Sequence, residues 1–325
     1  MIGIVMRRLA WLGLLILIIT AITYTLFFVV PGDPAVQAVP KGASPQTIAD
    51  VRHRMGLDQP LWKQYLYFLH GPDLIGNGNP TGIINWPPNL GYSFKNQEPV
   101  LDTILDRLPV SLSLALGGVV LWLVVGFSVG IVSAMRPGSV RDHAAMVFAL
   151  VGVSMPQFLL GILLIYFLYF RVNIFPAPGY VPFTESPTQW AWHLVLPWCT
   201  LAFTYAAAYS RILRSSMLEV ANENWVTLAR AKGVKRRFVV RRHVIRPALP
   251  PVVTMLGMDI GVLVSGAVVV EVVFGLNGVG KLAVDALTNQ DLPVIAGCVL
   301  LAAISVAVAN LAVDLAYRML DPRVE

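Results

Sequence analysis

Six apolar runs, each long enough to cross a lipid bilayer, dominate this sequence. The first covers residues 9–30, and in an α-helix that rises 1.5 Å per residue it reaches roughly 33 Å. The others cover residues 110–134, 143–170, 193–213, 251–274 and 293–317. One soluble core could not bury this much apolar surface, since 56% of the residues are hydrophobic and 13% are charged. The runs therefore predict an all-α polytopic membrane protein with about six transmembrane helices.

The positions of Lys and Arg predict the orientation of these helices. If the N-terminus is cytoplasmic, the inner segments hold about 16 of the 24 Lys and Arg residues. Basic residues in short loops stay on the cytoplasmic side, so both termini are expected there. The first run follows Arg7 and Arg8 like a signal peptide, but it is longer than a signal h-region and no small-residue cleavage pattern follows it. We therefore interpret it as a retained helix.

The apolar runs divide the chain into three parts. Residues 1–30 form an N-terminal transmembrane helix, residues 31–106 an extracytoplasmic region, and residues 107–325 a five-helix core that includes a cytoplasmic loop over 215–246. Ser44 and Pro45 are typical of a helix start, so a short helix is expected over residues 44–57. The extracytoplasmic region either folds over the outer mouth or remains a solvated loop without a partner. Two proline residues inside runs predict kinks, at Pro156 and Pro197.

The cytoplasmic loop is too long for a turn and too polar for a span. Residues 219–231 read as helical, and either Asn222 or Asn224 could cap a short second helix that starts near Trp225. Gly233 is placed where a glycine ends a helix.

The short helix has an apolar stripe beside cations. Trp225, Leu228 and Ala229 recur at i, i+3 and i+4, next to Arg230 and Lys232. Such a helix can lie on anionic lipid, pack under its own bundle, or dock into a groove on a cytoplasmic partner, and its spacing alone leaves all three open.

Polar residues inside the runs are the candidates for a transport route. An ionised carboxylate within the bilayer is unfavourable unless it faces protein, water or a cation, which draws attention to Asp259, Glu271 and Asp314. The structural alternative is pairing with an interhelical donor or placement at the headgroup boundary, which suits the latter two because they lie near span ends. Ser154, Gln157 and Asp259 are candidates for the translocation pathway.

Other classes of function find little support in the sequence. The two cysteines, Cys199 and Cys298, lie in apolar stretches, and the five histidines have no metal-ligand spacing, so no metal site is expected. No catalytic trio or H-E-x-x-H motif is present, so the chain itself is not expected to be an enzyme. The net charge of +6 does not indicate nucleic acid, since the basic residues cluster between apolar runs.

Residues 275–281 match the G-x-x-x-x-G-K pattern of a phosphate-binding loop. However, Leu282 follows where a Mg²⁺-binding hydroxyl is needed, and the motif follows a span and lies outside the cell in the expected topology. We interpret it as a tight or re-entrant glycine-rich turn that binds no nucleotide.

Several motifs together resemble the permease subunits of oligopeptide and dipeptide ABC importers, in particular the first permease of each pair. The P-G-D-P signature is matched at residues 31–34, and A-R-A-K-G at residues 229–233 is followed by a similar H-x-x-R-x-A-L-x-P run over 243–250. E-x-x-F-G-x-x-G-x-G is matched at 271–280 and D-x-x-Y-x-x-L-D-P-R at 314–323. The chain departs from the family at Asn224, Trp225 and Leu228, where an Asp, an aromatic residue and a Thr are common. Residues 71–86 also form a longer segment than is usual.

The resemblance implies a six-helix, type I ABC importer permease fold and the partners that go with it. These are a second homologous permease, two cytoplasmic ATPase domains that bind ATP and Mg, an extracytoplasmic substrate-binding protein and membrane lipid, with no cofactor on this chain. The short cytoplasmic helix would be the coupling helix, with Trp225, Leu228 and Ala229 as buried anchors at the ATPase and Arg230 and Lys232 as a polar rim. The residues implied in ATPase coupling are Asn224, Trp225, Leu228, Ala229, Arg230, Lys232 and Gly233.

The resemblance implies peptides as cargo, but it leaves alternatives. Close relatives of the family carry nickel, glutathione or small sugars, and the motifs report coupling rather than cargo. A stand-alone ion-coupled transporter would need inverted repeats and paired broken helices, which the sequence does not show. A membrane scaffold without transport would leave the basic loop as a lipid anchor.

Overall fold

The computed structural model describes residues 2–29, 35–36, 39, 42–54, 57–70, 90, 92–93, 95–96 and 98–320. The first helix, α1, covers Ile2–Tyr24 and continues as a π-helical turn over Thr25–Val29. Two short helices follow, α2 over Pro45–Arg54 and α3 over Leu61–His70. Strands β1 (Tyr92–Ser93) and β2 (Glu98–Pro99) then form an antiparallel hairpin in which Tyr92 pairs with Pro99 and Ser93 with Glu98.

The remaining chain is helical, with short connections. The helices are α4 (Val100–Met135), α5 (Val140–Ser154), α6 (Gln157–Leu164, continued as a π-helix over Ile165–Arg171), α7 (Pro187–Ala221), α8 (Asn224–Ala231), α9 (Arg236–Ala248, π-helical over Val239–Ile245), α10 (Pro250–Val264), α11 (Val268–Val273), α12 (Val279–Asn289) and α13 (Leu292–Leu320).

Each predicted apolar run coincides with a helix or with a broken pair of helices. Among the described residues, α4 and the Leu292–Val313 part of α13 are long and apolar enough to cross a membrane unaided. The number rises to four if each of two bent pairs counts as one span. Helix α1 contributes a shorter apolar stretch, Gly13–Tyr24. The 35-residue α7 is not among the helices that meet this requirement of length and apolar character.

The two bent pairs have identifiable causes. Helices α5 and α6 meet at 100°, at Met155 and Pro156. Proline lacks the N–H that would continue the helix, so the predicted kink at Pro156 is confirmed. Pro197, in contrast, lies inside α7 without ending it. Helices α9 and α10 bend by 49° before Pro250.

The run over residues 251–274 is not one continuous helix, contrary to the sequence prediction. Helix α10 ends at Val264, and α11 begins only at Val268. Between them Gly266 has φ +115°, a conformation that residues with a side chain rarely adopt. The apolar composition predicted the membrane segment, but it did not reveal this break.

Two compact units are present. The first comprises Met1–Pro109 and Gly278–Ser305. Its core contains Val100, Ile104, Val279, Val294 and Cys298, all buried.

Hydrogen bonds in the first unit attach α3 to α1. Tyr65 Oη lies 2.7 Å from Thr20 Oγ1, and Tyr24 Oη donates to Gln64 Oε1 at 3.0 Å. This part of the region between α1 and α4 is therefore not a solvated loop without contacts.

The predicted short helix is confirmed as α2. Its first turn is capped by Ser44, whose Oγ accepts from the Thr47 N–H at 3.1 Å. Beyond it, His53 Nδ1 lies 2.9 Å from Asp58 Oδ2, and this hydrogen bond lowers the pKa of the Asp58 carboxyl.

The second unit comprises Val110–Asn277 and Val306–Glu325. Its core is the long contact of α4 with α7, where Trp122, Tyr209 and Leu213 are buried. A Cβ added at Gly130 would lie 2.9 Å from the Ser210 carbonyl oxygen. Helices that pack in lipid approach closely through such small residues, so glycine is needed at this crossing.

Candidate functional site

Helix α8 carries the residues expected to engage a partner. It is separated from α7 by Asn222 and Glu223, and Glu223, not Asn222 or Asn224, occupies the N-cap position. Its side chain makes no capping hydrogen bond. Asn222 instead donates from Nδ2 to the Leu218 carbonyl at 3.1 Å, which holds it at the end of α7. The prediction of an asparagine cap is therefore wrong, although the predicted helix is present.

Two of the three residues in the apolar stripe of α8 are exposed. Trp225 is 50% exposed and Leu228 is 56% exposed. Val226, in contrast, is fully buried in the core of the second unit, and Ala229 packs against that core. Packing under its own bundle therefore uses Val226 and leaves Trp225 and Leu228 uncovered. Sequence reasoning missed Val226, because a single valine beside the stripe does not indicate which part of the protein it contacts.

The end of α8 is a Schellman motif. The Gly233 N–H donates to the Arg230 carbonyl at 3.0 Å, and the Val234 N–H to the Ala229 carbonyl at 3.3 Å. Gly233 has φ +76°, so it supplies the left-handed residue that this turn requires. Its predicted role in ending the helix is confirmed. Arg230 and Lys232 are both exposed beside this turn.

The segment that begins with α8 is strongly basic. Residues 224–258 contain eight Lys and Arg residues and no Asp or Glu. Arg236 donates from Nη2 to the Met135 carbonyl at 3.0 Å, which satisfies an otherwise free carbonyl at the end of α4. Arg242 stacks its guanidinium over the exposed ring of Phe238 at 5.7 Å. The other cations on this segment face outward, so this side of the unit attracts anionic surfaces.

An ion pair lies beside the start of α5. Asp142 is 1% exposed, and both of its oxygens accept from Arg214 of α7, at 2.6 Å from Nε and 2.9 Å from Nη2. Ser133 and the Gly138 N–H also donate to this carboxylate. A buried charge with all its acceptor positions occupied fixes the relative position of the helices that hold it. Sequence reasoning missed this pair, since its members are 72 residues apart.

The pathway candidates lie in two places. Ser154 is exposed and Gln157 is half-buried, and they flank the bend between α5 and α6. Asp259 lies in the middle of α10, where Oδ2 accepts from Tyr209 Oη at 2.6 Å. Within the described chain, neither Ser154 nor Gln157 hydrogen-bonds to Asp259. The structure therefore brings the first two together and leaves Asp259 with α7.

Glu271 is held by an interhelical donor, which is one of the two structural alternatives for a carboxylate near a span end. It is fully buried, and its Oε1 accepts from Ser111 Oγ at 2.8 Å and from the Ala267 N–H at 3.2 Å. The side chain of Asp314 lies outside the described residues, as do residues 31–34 and 321–323 of the sequence motifs.

The glycine-rich turn after α11 is also a helix C-terminus. The Leu276 N–H donates to the Glu271 carbonyl at 2.8 Å and the Gly275 N–H to the Val272 carbonyl at 3.3 Å, with Gly275 at φ +63°. This second Schellman motif explains the spacing of glutamate and glycine in E-x-x-F-G. Gly275, the first glycine of the apparent phosphate-binding pattern, serves to reverse the chain.

Two family models match almost the whole chain. The model described as binding-protein-dependent transport system inner membrane component matches residues 126–325, and the N-terminal model of the same system matches residues 1–115. The chain belongs to this family. It is thus an inner-membrane component of a binding-protein-dependent transport system, which confirms the family resemblance of the sequence motifs.

Individual relatives of this membrane component align over its full length. A protein of Brucella abortus named as a peptide transport system permease protein is 37% identical over 324 residues, which cover 100% of this chain and 99% of the relative. The dipeptide transport system permease protein DppB of Escherichia coli K12 is 34% identical, with the same coverage. Since each relative is matched almost end to end, the similarity extends beyond the shared core.

The fold of this membrane component is also found in a solved structure. An inward-facing structure of the MetNI methionine ABC transporter aligns with a TM-score of 0.51 at 19% identity, covering 68% of this chain and 97% of that chain. The expected type I ABC importer permease fold is confirmed.

Proposed function

We propose that this chain is the permease subunit of an ATP-driven ABC importer and forms half of the translocation pathway for di- or oligopeptides. The observation that carries this proposal is the full-length similarity to permeases named for peptide and dipeptide transport. The family itself depends on a binding protein, so an extracytoplasmic substrate-binding protein delivers the peptide. A second homologous permease completes the pathway.

Two ATPase domains supply the energy on the cytoplasmic side and bind ATP and Mg. The exposed Trp225 and Leu228 support this step, because a partner groove would cover them while Val226 keeps α8 attached to its own unit. Movement of the ATPase domains then displaces α8 as a rigid body and, through the joint at Asn222 and Glu223, displaces α7. Both termini are cytoplasmic in this arrangement, in agreement with the distribution of Lys and Arg.

The test of cargo is uptake by the complete assembly in proteoliposomes. The permease pair, the ATPase subunits and the binding protein are reconstituted, and ATP-dependent entry of a labelled dipeptide is measured against competing oligopeptide, glutathione and Ni²⁺. Competition by peptides alone supports a peptide importer. Competition by Ni²⁺ or glutathione, with no effect of peptides, would assign the permease to another cargo of the same family.

A further inference from the structure

Asp259 is a carboxylate in the middle of a membrane helix, and none of the described residues supplies a cation to balance it. Its described hydrogen bond comes from Tyr209, with 2.6 Å between Oη and Oδ2. In the described chain, no Lys, Arg or His lies within ion-pair distance of it, whereas Asp142 of the same unit pairs with Arg214. An ionised carboxylate at this depth is unfavourable unless water or a cation reaches it. Asp259 is half-buried, so one side of it remains accessible.

The surroundings of Asp259 are aromatic. Tyr209 is fully buried, and Tyr205 lies one helical turn earlier on the same face of α7 and is half-buried. Trp122 of α4 stacks on Tyr205 with 4.5 Å between ring centroids and lies 5.9 Å from the ring of Tyr209. A carboxylate close to electron-rich aromatic side chains can bind an ammonium group, through ionic and cation–π attraction together.

The opposite side of α10 is occupied by another helix. Gly257 and Gly261 pack directly on α13, where a Cβ at Gly261 would lie 2.7 Å from the Val306 Cα. Because residues two positions apart on a helix point in different directions, Asp259 does not face this contact. Its Oδ2 accepts instead from Tyr209 of α7.

We propose that Asp259, Tyr209 and Tyr205 form a subsite for a primary ammonium group, the α-ammonium of the peptide in transit. This inference rests on the proposed function and adds a recognised group to it. At neutral pH an unmodified peptide carries a mostly protonated amino terminus whatever its side chains. One carboxylate that neutralises this shared charge serves peptides of different sequence. Tyr209 orients the carboxylate, and Tyr205 offers its ring to the ammonium.

The subsite differs from a purely structural Tyr–Asp hydrogen bond in its response to substitution. Asp259→Asn keeps an oxygen that accepts from Tyr209 but removes the charge, whereas Tyr209→Phe keeps the charge and removes the hydrogen bond. Asp259→Glu keeps the charge on a longer side chain. Met258→Ala, on the exposed neighbouring position, is the matched control.

The first readout is ATP-dependent uptake of a free-amino dipeptide by the reconstituted complex, corrected for the amount of permease in each membrane. We expect Asp259→Asn to lower uptake by about tenfold or more, since the ammonium group loses its charged partner. Asp259→Glu should retain most of the uptake, and Tyr209→Phe should lose less than Asp259→Asn. Uptake by Asp259→Asn at the rate of Met258→Ala, or a larger loss in Tyr209→Phe than in Asp259→Asn, would overturn the subsite.

The second readout is access to the position itself. The thiol introduced by Asp259→Cys should react with a water-soluble methanethiosulfonate reagent in the assembled importer, because a peptide in transit can reach this position only if water can. The control is the unsubstituted chain, in which any labelling comes from the native Cys199 and Cys298. A thiol that does not react would overturn the subsite. If the unsubstituted complex takes up no peptide at all, the proposed function fails, whereas normal uptake with an inert Asp259 contradicts the subsite alone.

Discussion

Arg214 holds Asp142 by two parallel hydrogen bonds, 2.6 Å from Nε to Oδ1 and 2.9 Å from Nη2 to Oδ2. The pair joins the beginning of α5 to α7, only one helical turn or two before α7 ends at Ala221. Since α8 follows directly, a displacement of α8 reaches the bent α5–α6 pair through a rigid, fully hydrogen-bonded contact. In the proposed importer, this ion pair links α8 to the bent α5–α6 pair.

Removing the charge of Asp142 should destabilise the protein. Asp142→Asn leaves the Arg214 guanidinium beside a neutral group, and breaking a buried pair in this way costs about 3 kcal/mol. We expect a lower melting temperature in detergent, measured by the loss of monodisperse protein on heating. Arg141→Gln, at the exposed neighbouring position, is the control and should melt like the unsubstituted chain. Equal melting temperatures for the two variants would show that the pair does not hold α5 to α7.

Adjacent residues of α8 should separate coupling from stability. Trp225→Ala removes a half-exposed side chain, so its effect on unfolding should stay below about 0.5 kcal/mol while transport is lost. Val226→Ala leaves a small cavity in the core and should destabilise by about 1–2 kcal/mol. The measurements are thermal unfolding of each purified complex and the ratio of ATP hydrolysed to peptide imported. Unchanged import by Trp225→Ala would remove α8 from the coupling role.

Gly233 should tolerate asparagine better than alanine. At φ +76° a side chain meets backbone strain worth about 1 kcal/mol or more, and asparagine adopts this left-handed conformation more readily than other residues with a side chain. Apart from the two chain neighbours, no described residue has a heavy atom within 4 Å of an added Cβ, so crowding does not enter the comparison. We predict that Gly233→Ala lowers thermal stability more than Gly233→Asn does. The reverse order would contradict the Schellman turn.

Gly261 should be intolerant of any side chain. A Cβ there would lie 2.7 Å from the Val306 Cα, and backbone atoms cannot move aside as a flexible side chain does. Gly261→Ala should therefore destabilise by about 1–3 kcal/mol and lower the yield of folded protein. Gly13→Ala in α1 has nothing within 4 Å and is the matched control. If both variants give the same yield and melting temperature, the close contact of α10 with α13 is wrong.

Local sequence signals predicted the parts of the fold that depend on few neighbours. Glycine at position 233 and proline at 156 determine a helix end and a bend within their own segments, so both were predictable. Val226 and Asp142 depend on partners from distant parts of the chain, which a single sequence does not identify. An acidic residue in an otherwise basic inner segment was the available signal for Asp142.

The direction in which the apolar stripe of α8 faces was the other feature that the sequence did not predict. Helical spacing predicted that Trp225, Leu228 and Ala229 share an apolar face, but spacing cannot tell whether the protein or a partner covers it. The structure leaves Trp225 and Leu228 exposed and turns Val226 inward. For this reason the role of the stripe as an anchor for the ATPase remains a proposal.

The most direct test of the central claim is the composition of the complex in which this chain occurs. The tagged chain is purified from native membranes in mild detergent, every co-eluting protein is identified by mass, and ATP hydrolysis is assayed. We predict that a second permease of the same family and P-loop ATPases elute with it in stoichiometric amounts. A stable, well-folded chain that elutes alone and without ATPase activity would contradict the claim that this permease works as one half of an ATP-driven importer.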